Sequence, residues 1–278
     1  MAGWIVAGVD GSAPATAAVA WAAADARRRG LDLRLVHVCE QWAHDAGATG
    51  YCAEALAAAA GRARESAPGV QVSTEMLTGP VIDALVKESV AADSVVLGSR
   101  GLGGFAGLVL GSAGLAVAGH AAGPVVIVRG PEAARHGEVV VGHDGSEHAR
   151  AAVEYAIEQA RAREAQLRVV YAWQTPLLSS YAAAYGMLDE DFRREARTAA
   201  QQVVPWRERN PDVRIVDDQV CAHPVAALMK AATTADLVVV GSRGLGGFTS
   251  AVLGSVSHGV LHHVTCPVAV VRPRRARS

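Results

Sequence analysis

The chain predicts an α/β protein: two tandem doubly wound domains, each a sheet flanked by helices. Three observations lead there. One segment is written twice: Gly98-Ser99-Arg100-Gly101-Leu102-Gly103-Gly104-Phe105 returns as Gly241-Ser242-Arg243-Gly244-Leu245-Gly246-Gly247-Phe248, and each copy runs on to Leu-Gly-Ser. The apolar stretches are unbroken Val/Ile/Leu runs, the pattern of strands covered on both faces. Between them lie Ala-rich stretches of helical length, punctuated by start and stop residues.

Taken in order, residues 4–10 form an apolar run ending in a polar turn, the first strand. Ser12 is placed to cap a helix through Arg29, with Gly30 to end it. Arg27, Arg28 and Arg29 fall in its last turn, where positive charge complements the helix dipole. Residues 31–39 read as the second strand, 52–65 as a helix and 70–78 as the third strand. Pro80 opens a helix to about Ala91, residues 94–98 are a buried strand, 112–121 are helical, and 125–128 close the unit.

Residues 129–137 are polar and contain Pro and Gly, so the first domain spans 1–130, a linker 131–136 and the second domain 137–273, with a basic tail at 274–278. Residues 139–146 echo 5–12, 236–240 echo 93–97, and 266–272 echo 123–129. The halves differ mainly after their second strands. There the second copy carries a longer segment, 173–187, rich in Tyr, Ser and Ala, that reads as a surface loop or a lid.

Composition excludes several classes. With 51% hydrophobic and 19% charged residues the chain reads as globular, and a net charge of −1 argues against a nucleic-acid-binding surface. No apolar run reaches membrane-spanning length, and the N-terminus enters a strand at once, so a cytoplasmic protein is expected. Cys39, Cys52, Cys221 and Cys266 stand apart without a CxxC pair, the spacing of free thiols rather than disulfides or a metal site. His258 and His262 lie four apart on a predicted helix, a spacing a metal can use. Leu115 and Gly119 stand at the matching first-half positions and no acidic residue lies in the local run, so they read as ordinary helix residues.

The chemistry concentrates after the fourth strand of each half. Gly98 and Gly101 flank a tight turn, and Gly111-Ser112 begins a helix; Gly241, Gly244, Gly254 and Ser255 repeat the spacing. Glycine allows close backbone approach, and free N–H groups at a helix start favour phosphate. Glycines that merely turn the chain explain one such copy; two copies with identical spacing favour phosphate binding. Asp10 and Asp144 end the first strand of each half, where a carboxylate can accept from a base amino group or ribose hydroxyl, or else close an Asx-turn. Neither half has a GxxxxGK[ST] P-loop or the dinucleotide fingerprint after strand one.

The strand-one Asp, the His37-Val38 pair and the Gly98-x2-Gly101-x9-Gly111-Ser112 motif together resemble the universal stress protein family, over nearly the whole chain twice. The resemblance is to its tandem-domain, ATP-binding members. It implies a five-stranded parallel sheet in the order 3-2-1-4-5 in each half, which makes strands one and four neighbours at the switch point. It implies that Gly8, Asp10 and Val38 line the adenine and ribose side, while Gly98, Ser99, Arg100, Gly101, Gly104, Gly111 and Ser112 form the phosphate side. The matching second set is Gly142, Asp144 and Ala172, then Gly241, Ser242, Arg243, Gly244, Gly247, Gly254 and Ser255.

Two departures stand out. Ala172 replaces a branched residue, and Val256-Ser257 offers the second loop a further hydroxyl where the first has Ala113-Gly114, which implies weaker triphosphate binding in the first half. Arg100 and Arg243 either touch phosphate or point to water. The function implied is a stress-response regulatory protein that uses ATP, with or without magnesium, as a signal to an unidentified protein client. A slow ATPase, self-phosphorylation on Ser112 or Ser255, and a nucleotide-free scaffold remain alternatives. The final strands, 125–128 and 268–271, look like edges in need of cover. Pairing them between halves would give an intrachain pseudo-dimer, with a homodimer of chains a further option.

Overall fold

The computed structural model describes residues 3–39, 46–101, 110–129, 135–173, 187–245 and 253–274. The first half runs β1 (Trp4–Gly8), α1 (Ala13–Arg29), β2 (Asp32–Cys39), α2 (Ala46–Ser66), β3 (Val72–Thr78), α3 (Val81–Glu88), β4 (Ser94–Gly98), α4 (Ser112–His120) and β5 (Val125–Val128). The second repeats it: β6 (Glu138–Gly142), α5 (Glu147–Arg163), β7 (Gln166–Trp173), α6 (Met187–Arg209), β8 (Ile215–Cys221), α7 (Pro224–Ala232), β9 (Leu237–Gly241), α8 (Ser255–His263) and β10 (Val268–Val271).

Local chemistry sets the element ends. The Ser12 hydroxyl accepts from the Ala15 amide at 3.2 Å to start α1, and Ser146 does the same for Ala149 at 3.1 Å at the start of α5. Gly30 ends α1 at φ 64°, in the left-handed region. At the equivalent end of α5 the chain asks the same of Glu164, at φ 54°. Helix α2 begins earlier than the sequence pattern suggests, passing through Gly50, and α3 stops sooner, at Ser89. Ser89 turns the chain with its side chain, donating to the Val86 carbonyl at 2.6 Å and accepting from the Ala122 amide at 2.9 Å.

Within each half the strands are parallel and ordered 3-2-1-4-5, but the two sheets are not separate. They fuse into one ten-stranded sheet, β3-β2-β1-β4-β5-β10-β9-β6-β7-β8. The seam is an antiparallel pairing of β5 with β10, in which Val126 stands opposite Ala269. Both seam strands are wholly apolar and buried, so their outer backbone groups could not be left without partners.

The core lies on both faces of this sheet and crosses the seam. On one face Val126, Val128, Ala269 and Val271 pack with the alanine-rich surfaces of α1 and α5. On the other, Val125, Ile127, Val268 and Val270 join α4 and α8. Alanines at positions 18, 22, 23 and 26 of α1 are fully buried, which lets that helix lie close to the strands.

Polar contacts lock the halves together. Asp25 of α1 and Gln159 of α5 occupy equivalent positions in the repeat, and both are fully buried. They meet: Gln159 Nε2 donates to Asp25 Oδ2 at 3.2 Å. Arg163 reaches Asp25 at 2.8 Å as a close ion pair, and its own equivalent, Arg29, stands 3.6 Å from Asp25. Arg29 also grips Asp93 through both guanidinium nitrogens, at 2.6 and 3.1 Å. On the opposite face the arginines that follow β5 and β10 exchange places. Arg129 donates to the His262 carbonyl at 3.4 Å, and Arg272 donates to the Gly119 carbonyl. Each thus sets positive charge at the C-terminal turn of the other half's last helix. Among the described residues no helix is long and apolar enough to cross a membrane.

Among the described residues Asp25 is the buried anion facing Arg163 at the α1–α5 contact, whereas Arg29 also has Asp93. Asp25→Ala is expected to destabilise the chain by about 3–5 kcal/mol, because the buried Arg163 guanidinium would lose its carboxylate partner. Urea unfolding followed by circular dichroism checks this, and a change within about 0.5 kcal/mol, the size of an ordinary surface substitution, would refute it.

Candidate functional site

Strand order reverses between β1 and β4, which lie side by side with Ala7 opposite Val96. Beyond their carboxyl ends the chain from β1 turns one way and that from β4 the other, opening a crevice where α/β proteins hold ligands. In the first half this crevice encloses about 630 Å³ of empty space, part of it open to solvent. Gly8, Asp10, Val38, Leu85, Arg100 and Gly111 are among its walls.

Asp10 performs two tasks. Its Oδ1 accepts from the Ser12 amide at 2.9 Å, closing an Asx-turn ahead of α1. Its Oδ2 faces the glycine loop: a Cβ on Gly101 would stand 2.6 Å from it. Asp144 repeats the arrangement, with Oδ1 accepting from Ser146 at 3.0 Å and Oδ2 from the Leu245 amide at 3.1 Å. A side chain at Gly101 or Gly244 would therefore have to displace the carboxylate.

Gly98 and Gly241 answer to a different constraint. A Cβ on Gly98 would meet the backbone of Pro14 and Ala15 at 2.6–2.8 Å, and one on Gly241 would meet that of His148 and Ala149 at 2.8–3.0 Å. These glycines let the first helix of each half start against the fourth strand. The space beside Gly8 is taken by Leu97, whose Cδ2 would lie 2.5 Å from a Cβ there, and Leu228 stands 3.1 Å from the same point on Gly142.

The helices that follow the loops start without side-chain caps. Gly111 and Gly254 are the N-cap residues of α4 and α8, and neither start has a side-chain hydrogen bond. The glycine amides donate back to Ser99 and Ser242 carbonyls, both at 2.8 Å, which folds each loop onto its helix start. Ser112 and Ser255 are exposed on the first turn. Among the described residues no side chain caps the first-turn amides of either helix, a setting suited to an anion.

A model of the universal stress protein family matches residues 1–129 and, separately, residues 136–272. The chain belongs to this family. It is 34% identical over 288 residues to a universal stress protein of Mycolicibacterium smegmatis, with 97% of each chain aligned. It is also 34% identical over 302 residues to a universal stress protein of Mycobacterium tuberculosis, covering 96% of this chain and 94% of that one. In structure it is similar to a universal stress protein from Archaeoglobus fulgidus, with a TM-score of 0.72 over 97% of this chain and 98% of that one. Sequence identity there is 20%, so that likeness speaks for the fold.

The remaining residues of interest in this universal stress protein are placed as follows. Ser99 and Ser242 are buried; their amides donate to the Val128 and Val271 carbonyls at 2.9 and 2.7 Å, tying each loop to a seam strand. The Ser242 hydroxyl is 2.9 Å from His148 Nδ1. Arg100 is exposed on the cleft wall, whereas Arg243 is half-buried, with a buried Nε that has no hydrogen-bond partner among the described residues. Val256 is half-buried, and the buried Ser257 hydroxyl donates to the Gly241 carbonyl at 2.6 Å. That bond commits the donor expected to strengthen the second site, leaving Ser255 as the exposed hydroxyl of its first turn. Ala172 packs half-buried against the core. Gly104, Gly247 and the candidate lid at 174–186 lie outside the described residues. His258 is exposed and His262 half-buried, their rings 4.5 Å apart along α8.

Two features escaped the sequence pattern. His143, the counterpart of Val9, is buried beside Asp144, with Nε2 donating to Gln202 Oε1 at 2.7 Å and its ring edge-on to Trp206 at 5.1 Å. The partners on α6 are far away in sequence, so no local motif announces this. The other is the convergence of His37, Cys39 and Cys52 beside the first cleft. Alternation along β2 puts His37 and Cys39 on one face, but only the fold brings Cys52 to them.

Burial pushes the His143 pKa below its ordinary value of 6.5, against the opposing pull of the Gln202 hydrogen bond. His37, His148 and His262 shift the same way, each chiefly through burial. Below about pH 6.5 the unfolded chain therefore binds more protons than the folded one, and stability falls as pH drops. Thermal melts are expected to show a midpoint that is flat above about pH 7 and declines towards pH 5.5. The decline should be shallower in His143→Gln; an identical pH profile for that variant would contradict the assignment.

Proposed function

We propose that this universal stress protein binds ATP in the cleft of each half, acts in the cytoplasm, and signals nucleotide occupancy to a protein client. The observation that carries the reading is the pairing, in both halves, of a strand-end carboxylate with a glycine loop that leads into a helix start without side-chain caps. The carboxylate suits the ribose hydroxyls or base amino group. The bare first-turn amides suit phosphate oxygens, and Val38 with Leu85 supplies apolar wall for a flat ring.

Asp10 and Asp144 are each tied to a turn amide, which makes them orienting groups for a ligand rather than proton carriers. Magnesium fits this setting as an ion carried by the phosphates, since it needs oxygen ligands and keeps several waters. Nucleotide then acts by differential affinity: it favours the state in which the loop closes on Asp10 or Asp144. The seam offers a route between the sites, because each loop begins with an amide bonded to a seam strand, Ser99 to β5 and Ser242 to β10.

Titration calorimetry on the full chain is expected to show about two ATP bound, with affinities compared against ADP, AMP and cyclic AMP. Gly101→Val and Gly244→Val force a branched side chain against the Asp carboxylate; each should weaken one site by at least about tenfold, or about 1.4 kcal/mol, and spare the other. Absence of both heat and thermal stabilisation with every nucleotide would overturn the reading. Rapid phosphate release at saturating ATP and magnesium would replace the signalling role with an enzymatic one.

A further inference from the structure

Apart from the phosphate side of the cleft, the first half contains a cluster of a different chemical character. The side-chain ligand atoms of His37, Cys39 and Cys52 all lie within 4.8 Å of one another. His37 and Cys39 alternate on the carboxyl end of β2 and so point to one face; α2 returns Cys52 against them. Both sulfurs are free thiols, Cys52 buried and Cys39 half-buried. His37 is only 7% exposed, yet its buried Nδ1 has no hydrogen-bond partner among the described residues. A buried polar nitrogen left unmatched costs free energy, and here two soft donors stand within reach of the same ring.

We propose that His37, Cys39 and Cys52 form a binding site for a thiophilic divalent cation, zinc by preference, at the wall of the first cleft. Two sulfurs and one imidazole nitrogen are a zinc donor set and are unsuited to magnesium or calcium, which need oxygen. In a tetrahedral zinc site, with metal–ligand bonds of about 2.0–2.3 Å, ligand atoms stand about 3.5–3.8 Å apart. Closure from spacings within 4.8 Å asks for at most about 1.0–1.3 Å. Among the described residues these three supply the ligands, and His37 also lines the cleft, so the ion would sit against the nucleotide side.

Burial, followed by the hydrogen bond to Cys52, pushes the Cys39 thiol up to about 11. Zinc changes that balance: as each sulfur–metal bond forms, the thiol gives its proton to solvent. Among the described residues the second half has no such cluster. The register of β1 with β2 and of β6 with β7 makes Tyr171 and Trp173 the counterparts of His37 and Cys39, and their rings lie 5.9 Å apart. The proposal therefore requires a single ion per chain and does not depend on nucleotide binding.

The test uses the full-length chain, reduced, stripped with a chelator and free of nucleotide. Zinc is titrated against a chromophoric chelator, and cobalt(II) serves as a spectroscopic probe. About one equivalent should bind, and cobalt should show a sulfur-to-metal charge-transfer band with the visible bands of a tetrahedral site. Cys39→Ser and Cys52→Ser should lose the charge-transfer intensity in part and His37→Gln should weaken zinc at least about tenfold; Cys221→Ser and Cys266→Ser should change neither. Alkylation of the unmutated chain, read by mass spectrometry, removes dependence on any variant's folding: zinc should protect Cys39 and Cys52 but not the exposed Cys221. Unchanged labelling of Cys39 with saturating zinc, a cobalt spectrum without sulfur charge transfer, or zinc binding that survives Cys39→Ser/Cys52→Ser together would each overturn the proposal.

Discussion

The molecule depends on a short stretch of antiparallel pairing between two four-residue strands, β5 and β10. A parallel α/β unit ends in an edge whose outer N–H and C=O groups need partners, and a wholly apolar edge cannot leave them to water. Each half supplies the other's missing neighbour. Both core layers then run across the junction, and the Asp25–Gln159 contact on one face and the crossed Arg129 and Arg272 contacts on the other fix its register. The clefts inherit their positions from this arrangement, since each glycine loop springs from the strand next to the seam and bonds to the seam strand itself.

Much of this architecture can be read in the chain without coordinates. Unbroken apolar runs mark strands buried on both faces, and Ser12 with Gly30 brackets α1 at both ends because capping chemistry is local. The elements that shift are those where side chains from elsewhere decide the matter. Ser89 ends α3 early through a bond to Ala122, and α2 runs through an exposed Gly50 despite that residue's low helix propensity. Fusion into one sheet was legible as a need for cover at residues 125–128 and 268–271, though not as a register.

The site shows the same division. Asp10 and Gly101 belong together because a carboxylate and an absent Cβ share one space, and the repeat at Asp144 and Gly244 makes that visible as spacing. Gly98 sits in the same motif for another reason, the start of α1, and spacing cannot separate the two. Ser257 resembles a spare donor until its bond to Gly241 is seen. The His143–Gln202 pair and the His37–Cys39–Cys52 cluster join residues from separate elements and have no signature along the chain.

The Asp25–Gln159 contact also bears on how such a chain can diversify. At the centre of a true two-fold dimer every residue meets its own copy, so an acid there would confront an identical acid. Joining the two lobes covalently lifts that restriction, and the position facing Asp25 holds an amide that can donate to it. Two amino-terminal lobes set together in the same way would oppose two carboxylates in a dry interface. The covalent junction therefore holds unlike residues at one equivalent position, an arrangement that a dimer of identical lobes cannot reproduce.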